Sequence, residues 1–526
     1  MFVTRSSDHA AAAFSGREDK KAQRIQKRIP KGTHMPPVIP PNARDIQPRA
    51  EGLELRSQGK VRDTYLLPDH PDKMLVVATN RISIFDFVLN DQIHQKGEVL
   101  NALSYFWTRT VLDGICETDL VACGSKIDEY LPKNLRKSTD LQTRGTIVRI
   151  LPAPDVEDIV RFVLTGSGWK SYQETGMVCG HQLPKGLTDG SVLEFPIYTP
   201  TTKAQVGHDE HITSKSVEER YGKRREEAVL LAATAMVSFA AKRRITMADT
   251  KMEFSVANDG TLVLCDEKGT PDSSRFWDMS DYAKAWASGK IPPSLDKQYV
   301  RDWGKKVGID SMRNPENPHD VSIVHSQELP DDVARITAKL YRYIFWRLTG
   351  QKLEKFQREE MGINVPDECL NVEVLIGSES DLSQVSENLS ALKNCNYAVS
   401  VMSCHRNPKE LEQHAAEKLV TADVVIAGAG MAAALPGIVK SHLCQLGRSD
   451  IPVIGVACKG KAEKDDRAAI LSIECLPGQP VELDPDGNAY FGPDGFAKAF
   501  ASAAADEFRP RTMEAKPVKI GIRKNY

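Results

Sequence analysis

The sequence is first read by what it lacks. No apolar run in its 526 residues is long enough to span a bilayer. Its ten cysteines include no CxxC pair, which argues for reduced thiols and against a zinc ribbon or a disulfide framework. Neither sign of charge dominates: 69 Lys and Arg face 71 Asp and Glu, a net charge of −2, which predicts no general affinity for nucleic acid. Aromatic residues are only 7%, but hydrophobic residues at 41% and charged residues at 27% are ordinary for a soluble globular chain. At about 150 residues per domain the length predicts three or four units. A soluble chain in a reducing compartment such as the cytoplasm, engaging neither membrane nor nucleic acid, is the expectation.

The first fifty residues hold ten Lys and Arg against four Asp and Glu, and include the Pro-rich stretch PKGTHMPPVIPP. They read as a disordered basic extension, with organelle targeting as the other reading.

The most informative stretch is ADTKMEFSVANDGTLVLCDEKGTPDSSRFWD, residues 248–278. Asp249, Lys251, Glu253 and Ser255 alternate with Met252, Phe254 and Val256, the period of a strand with one apolar and one charged face. Asp259-Gly260 signals a turn and residues 262–264 a second strand. A two-residue loop pairs Asn258 with Thr261 and sets Glu253 directly opposite Asp266. Facing carboxylates repel, and a divalent cation such as Mg²⁺ relieves that cost. A solvated hairpin neutralised by Lys251 is the other reading. The polar loop 271–277 brings Arg275, a forked cation suited to an anion.

Elsewhere in the front half, Gly59-Lys60-Val61-Arg62 is a turn entering a strand, with Lys60 and Arg62 on one face. Arg161 lies on a strand before the turn Thr165-Gly166-Ser167, which suits a carboxylate or phosphate, or is an ordinary turn. Residues 208–211 (HDEH) have a metal-like composition, but adjacent loop residues cannot all face one ion, so zinc is the weaker reading. Residues 216–242 carry a helical apolar period and are expected to be one core helix.

ADTKMEF, CDE and TPDSSRFWD, in that order, resemble the signature of SAICAR synthetase, a purine-biosynthesis ligase that joins aspartate to the carboxylate of CAIR with ATP. The resemblance spans residues 51–352 and includes GKVRD, NRISIFD, RFVLTGS, PTTKA with HD, and DKQYVRDW. Ser255 and Asn80 depart from the usual pattern. The resemblance implies an antiparallel-sheet ATP-binding body with Mg²⁺ held by Glu253 and Asp266. Lys60, Arg62, Lys203 and Lys251 would face ATP and its phosphates. Arg161, Ser167, Ser274, Arg275, Lys297 and Arg301 would bind CAIR and aspartate. Asp209 would orient or deprotonate the aspartate amine, with Lys251 beside the reaction. A small-molecule kinase is the competing reading.

Residues 353–370 read as a linker or terminal helix, and a second domain is expected over 371–510, before a basic tail at 511–526. Strand-like runs at 372–376, 397–402, 422–427 and 451–456 alternate with helical segments, which predicts a doubly wound parallel sheet of flavodoxin-like type. Its loops should gather at the strands' carboxyl ends, where such sheets bind ligands. GSESD, SCHRNP and AGAGMAAALPG, in that order, resemble the carboxylase/mutase that forms CAIR from aminoimidazole ribonucleotide (AIR) or its N-carboxy form (N5-CAIR). The resemblance implies proton transfer by His405, nucleotide binding by Ser378, Ser380, Asp381, Ser403, Arg406, Gly428 and Gly430, no cofactor, and an octamer formed through this domain. Cys404, Met431, Ala434 and the loop 459–467 depart from its pattern, so a catalytically impaired scaffold for the ligase is the alternative.

Overall fold

The computed structural model describes residues 37–40, 50–203, 210–312 and 314–510. Most of the expected basic extension, and the tail 511–526, lie outside them.

Two antiparallel-rich sheets form the front half. The first runs in the order Leu55–Gln58, Arg62–Leu66, Lys73–Ala78, Gly145–Arg149, Leu120–Cys123. The second is seven-stranded, with Val156–Leu164, Ile245–Val256 and Leu262–Cys265 at its middle. Ile245–Val256 is the longest of these strands at 12 residues, and it takes Ser274–Asp278 as a further neighbour. Met247, Met252 and Phe254 are buried with Val229, Ala232 and Met236 of the helix Lys223–Lys242. Trp107 and Phe345 join the same core. The charged face of the strand is equally enclosed: Asp249, Glu253 and Ser255 are all buried. The solvated-hairpin reading is therefore overturned, because Asp249 and Glu253 are buried against Arg161, Arg275 and Lys203 instead of facing open water.

The hairpin register also differs from expectation. Glu253 pairs with Cys265 and Val256 with Leu262, one residue out of step with the two-residue loop. Ala257 N–H donates to Thr261 O (2.9 Å) and Gly260 takes φ 86°, so three residues, 258–260, make the turn. A glycine in left-handed conformation closing a three-residue loop is the common longer hairpin. The expected single helix over 216–242 is two, Ser214–Tyr221 and Lys223–Lys242, parted by Gly222 at φ 78°. Thr165-Gly166-Ser167 is the start of the helix Gly166–Thr175. The stretch expected as linker or terminal helix begins with the helix Leu353–Glu359. Phe356, Met361, Ile363 and Val365 sit in the front-half core.

The back half is a five-stranded parallel sheet in the order Asn396–Val401, Asn371–Ile376, Val424–Ala429, Val453–Ala457, Tyr490–Phe491. Numbered along the domain that order is 2-1-3-4-5, the flavodoxin-like arrangement. Separate apolar cores cover the two faces, which makes the sheet doubly wound as expected. The halves meet through charge. Asp450 pairs with Lys339 (3.1 Å), Arg335 (3.6 Å) and Arg448 (3.1 Å). Lys352 donates to Ala504 O (3.0 Å).

Candidate active site

A cleft of about 2200 Å³ opens in the front half, and Lys60, Arg62, Arg161, Ser167, Lys203, Lys251, Glu253, Asp266, Ser274, Arg275, Lys297 and Arg301 all line it. Asp209 and His208 fall outside the described residues.

One end of the cleft is built by cross-strand register. Asp249, on the long strand, pairs with Arg161 on one neighbour and with Arg275 on the other. Its carboxylate accepts from Arg161 Nη1 (2.7 Å) and from Arg275. Arg161 Nη2 also donates to Ser167 Oγ (2.9 Å), while its Nε is buried with no hydrogen-bond partner. Burial, then the neighbouring Arg275 charge, lowers the pKa of Arg161. Burial alone would lower Arg275 as well, but Asp249 and Asp296 outweigh it and raise it. Two glycines permit this crowding. A Cβ on Gly166, at φ 61°, would lie 2.4 Å from Arg275 Nη2, and one on Gly168 would lie 2.9 Å from Arg161 Nε. Ser274 Oγ shares a hydrogen bond with Thr250 Oγ1 (2.9 Å).

Lys297 approaches Ser83 Oγ at 3.4 Å beneath this end. Burial pushes its pKa down to about 8 despite the opposing pull of Asp272. Asp272 itself is buried and paired with Lys96 (2.7 Å) and Tyr341, and lies well below the usual carboxylate range because Lys96 and Lys297 outweigh its burial. Burial, followed by Arg275, lowers the pKa of Arg301.

At the other end Glu253 accepts from Lys203 (2.6 Å), and Asp266 pairs with Arg62. Lys251 pairs with Glu157 (2.6 Å) and stands 4.0 Å from Glu253. Burial and then the Asp266 charge push Glu253 upward. Burial works against the Asp266 charge too, yet Arg62, Lys203, Lys251 and Lys268 hold it far below the ordinary range. Two carboxylates in electrostatic contact, one up and one down, behave as a pair. The pair survives the register shift because Asp266 stands one residue beyond the strand and adopts φ 58°, leaving the alternation that would send it to the opposite face. Among the described residues no group of three or more His, Cys, Asp and Glu could hold a metal. Two carboxylates without a third fit a Mg²⁺ ion carried by phosphates and water rather than a closed protein cage.

The loop Gly59-Lys60 is braced from below. Buried Arg81 donates to Gly59 O (3.1 Å), Lys60 O (3.3 Å) and Asp63 (2.6 Å), and Lys60 pairs with Asp86 (2.6 Å). Asn80 Oδ1 accepts from Gly97 N–H (3.0 Å), at the start of the helix Lys96–Phe106.

Sequence reasoning did not single out Arg81, Lys96, Asp119, Glu157, Asp249 or Lys268 for a role. Asp249 had a signal, since it lies in phase with Lys251 and Glu253; the others become visible only through contacts between distant segments.

In the back half, three loops meet at the carboxyl ends of the first three strands. Arg406 Nη2 donates to Gly377 O (3.2 Å), Ser378 and Ser380 hydroxyls lie 3.0 Å apart, and Gly377 N–H donates to Gly428 O (2.9 Å). Arg406 N–H donates to Ser403 Oγ (3.3 Å), and burial raises the pKa of Asp381. His405 is exposed. Met431, next to Gly430, is 63% exposed at φ 55°, a conformation that glycine takes without strain.

Residues 55–318 match the SAICAR synthetase family model, and residues 371–483 match the AIR carboxylase family model. The phosphoribosylaminoimidazole-succinocarboxamide synthase of Maridesulfovibrio salexigens is 41% identical over 308 residues, covering 57% of this chain and 96% of that protein. That of Halorhodospira halophila is 42% identical over 304 residues, covering 56% and 95%. Among solved structures, SAICAR synthase from Saccharomyces cerevisiae, complexed with SAICAR, is 32% identical with a TM-score of 0.49, covering 58% of this chain and 97% of that one. The two matched segments thus define a purine-biosynthesis ligase fused to an AIR carboxylase-type domain. The chain belongs to the SAICAR synthetase family.

Proposed function

We propose that the front half ligates L-aspartate to CAIR with ATP, giving SAICAR, ADP and phosphate. The observation that carries this reading is the single cleft with the Glu253–Asp266 pair at one end and the Arg161–Asp249–Arg275 ladder at the other. A carboxylate is a poor electrophile. Its oxygen attacks the γ-phosphorus, ADP leaves, and the acyl phosphate that results is attacked by the aspartate nitrogen as phosphate departs. Magnesium bound with ATP would neutralise phosphate charge at Glu253 and Asp266. Lys60, Arg62, Lys203 and Lys251 supply fixed cations for the phosphates. Arg275, Arg301, Ser274 and Lys297 orient the acids of CAIR and aspartate, with Arg161 and Ser167 behind them. Asp209 takes the amine proton. Positioning and charge neutralisation do the work, with no protein nucleophile.

In the back half, Ser378, Ser380, Asp381, Ser403, Arg406, Gly428 and Gly430 bind the nucleotide. His405 moves the proton as CAIR forms from AIR or N5-CAIR, without a cofactor. The chain works as a cytoplasmic homo-octamer joined through this domain. A second reading, an impaired nucleotide-binding scaffold, is favoured by one observation: Met431 keeps the glycine-like turn but places a thioether beside Gly430.

The test uses the full-length protein. ADP release that requires both CAIR and aspartate, with SAICAR identified by mass, supports the ligase. ADP release with CAIR alone makes it a kinase. Turnover of AIR or N5-CAIR that disappears in His405→Asn supports the enzyme reading of the back half, and octamers without turnover support the scaffold.

A further inference from the structure

Asp266 reaches its place through an unusual backbone. It is a non-glycine residue at φ 58°, immediately after the strand Leu262–Cys265, in a left-handed conformation that few residues other than glycine adopt. Something must hold it there. Its N–H donates to Asp119 Oδ2 (3.4 Å), and its C=O accepts from Lys268 Nζ (3.0 Å). The two side chains then close on each other, Lys268 Nζ to Asp119 Oδ1 at 2.9 Å. Both are nearly inaccessible, at 5% and 7% side-chain exposure.

Asp119 is fixed in turn at the junction of the two sheets. Its N–H donates to Leu264 O (3.1 Å), and its C=O accepts from Arg149 N–H (2.9 Å). An ion pair so enclosed is not accounted for by stability alone, since burying two charges repays little even with good geometry. What this one does is grip both backbone polar groups of a single residue.

We propose that Asp119 and Lys268 are positioning residues that clamp the Asp266 backbone, and so aim its carboxylate at the metal of the nucleotide. The proposal rests on the reading of Glu253 and Asp266 as metal-bearing. Groups that orient a metal-binding carboxylate change metal affinity by roughly 10–100-fold when removed.

The experiment is a titration of the full-length protein with Mn²⁺ in the presence of ADP, followed by the Mn²⁺ spin-resonance signal. Lys268→Met and Asp119→Asn should each weaken Mn²⁺ binding about tenfold or more. The second is nearly isosteric and serves where the first folds poorly. Lys268→Arg should keep most of the affinity. The decisive comparison is in an Asp266→Asn background, where adding Lys268→Met should change Mn²⁺ affinity less than twofold, because the clamp acts only through Asp266. A general loss of structure would lower affinity in both backgrounds and would overturn the proposal. Wild-type affinity in Lys268→Met, alongside lost affinity in Asp266→Asn, also overturns the clamp but leaves the metal reading intact. Equal affinity in wild type and Asp266→Asn would remove the metal reading and the clamp together.

Discussion

Replacing Gly166 with alanine tests the arginine end of the cleft with the smallest possible change. The backbone there is at φ 61°, where a side chain costs roughly 1–2 kcal/mol. The new methyl would also lie 2.4 Å from Arg275 Nη2 and 2.8 Å from Cζ, closer than atoms can approach. Arg275 is the movable partner, so its guanidinium must swing away from Asp249. A hydrogen bond to a charged group contributes about 1.5–3 kcal/mol. If Arg275 orients a substrate acid, losing that orientation costs about 10–100-fold in kcat/KM, at tenfold per about 1.4 kcal/mol. The strain should also lower the melting midpoint by a few degrees, at roughly 2–4 °C per kcal/mol for a domain of this class. Initial rates of ADP release, with CAIR and aspartate varied separately, measure the first; a thermal melt measures the second. Gly168→Ala is the matched control. It has no left-handed backbone to strain, but its methyl would press on Arg161 Nε at 2.9 Å, so it should impair turnover with a smaller loss of stability. A Gly166→Ala enzyme with kcat/KM for both acids within twofold of wild type would refute the assignment of Arg275 to substrate.

Glu253→Gln should lower ligase turnover by at least about 100-fold, on the scale of losing one preorganised charged group. It should leave the melting midpoint nearly unchanged, because Lys203 is 38% exposed and water can replace its partner. Lys297 carries a charge in a site that lowers its pKa to about 8, against 10.5 in its unperturbed form. The folded state therefore binds fewer protons than the unfolded chain between pH 8 and 10.5, and stability from this group rises with pH across that window. Lys297→Met should be more stable than wild type at pH 7 and lose that advantage by pH 10, in thermal melts, while its kcat/KM falls. Asp450, held down to about 2 against its burial by Lys339 and Arg448, works in the opposite sense. Its contribution is present above the unfolded carboxylate pKa and is lost as pH falls from about 4 to 2. Asp450→Asn should destabilise the protein by about 2 kcal/mol at pH 7, since the lost group is a fully buried carboxylate whose charged form Lys339 and Arg448 favour, and the difference from wild type should shrink toward pH 2.

Which parts of this architecture were legible in the chain follows from how far apart the interacting residues lie. The parallel sheet was legible because each strand, its polar loop and the helix after it are contiguous, and the 2-1-3-4-5 order follows the usual winding of such units. The glycine loop at Lys60 and the charged strand at 249–255 were legible for the same local reason. The hairpin register was not: Asp259-Gly260 serves a three-residue loop as readily as a two-residue one, and one residue of slip exchanges the faces. Glu253 and Asp266 still line one cleft, for a reason that alternation does not contain, the left-handed turn at Asp266. Nor does alternation contain the partners at the site. Asp249 lies 88 residues from Arg161, and Lys268 lies 149 from Asp119. A pair that distant leaves no period and no spacing to read, only a charge with no local reason to be buried. Asp249 did carry that mark, in a strand whose other face buries Met247, Met252 and Phe254. A carboxylate placed in the middle of the longest buried strand of a domain must meet a cation from each neighbouring strand or not be ionised at all. Arg161 and Arg275, each inside a strand of its own, are the two that the register delivers.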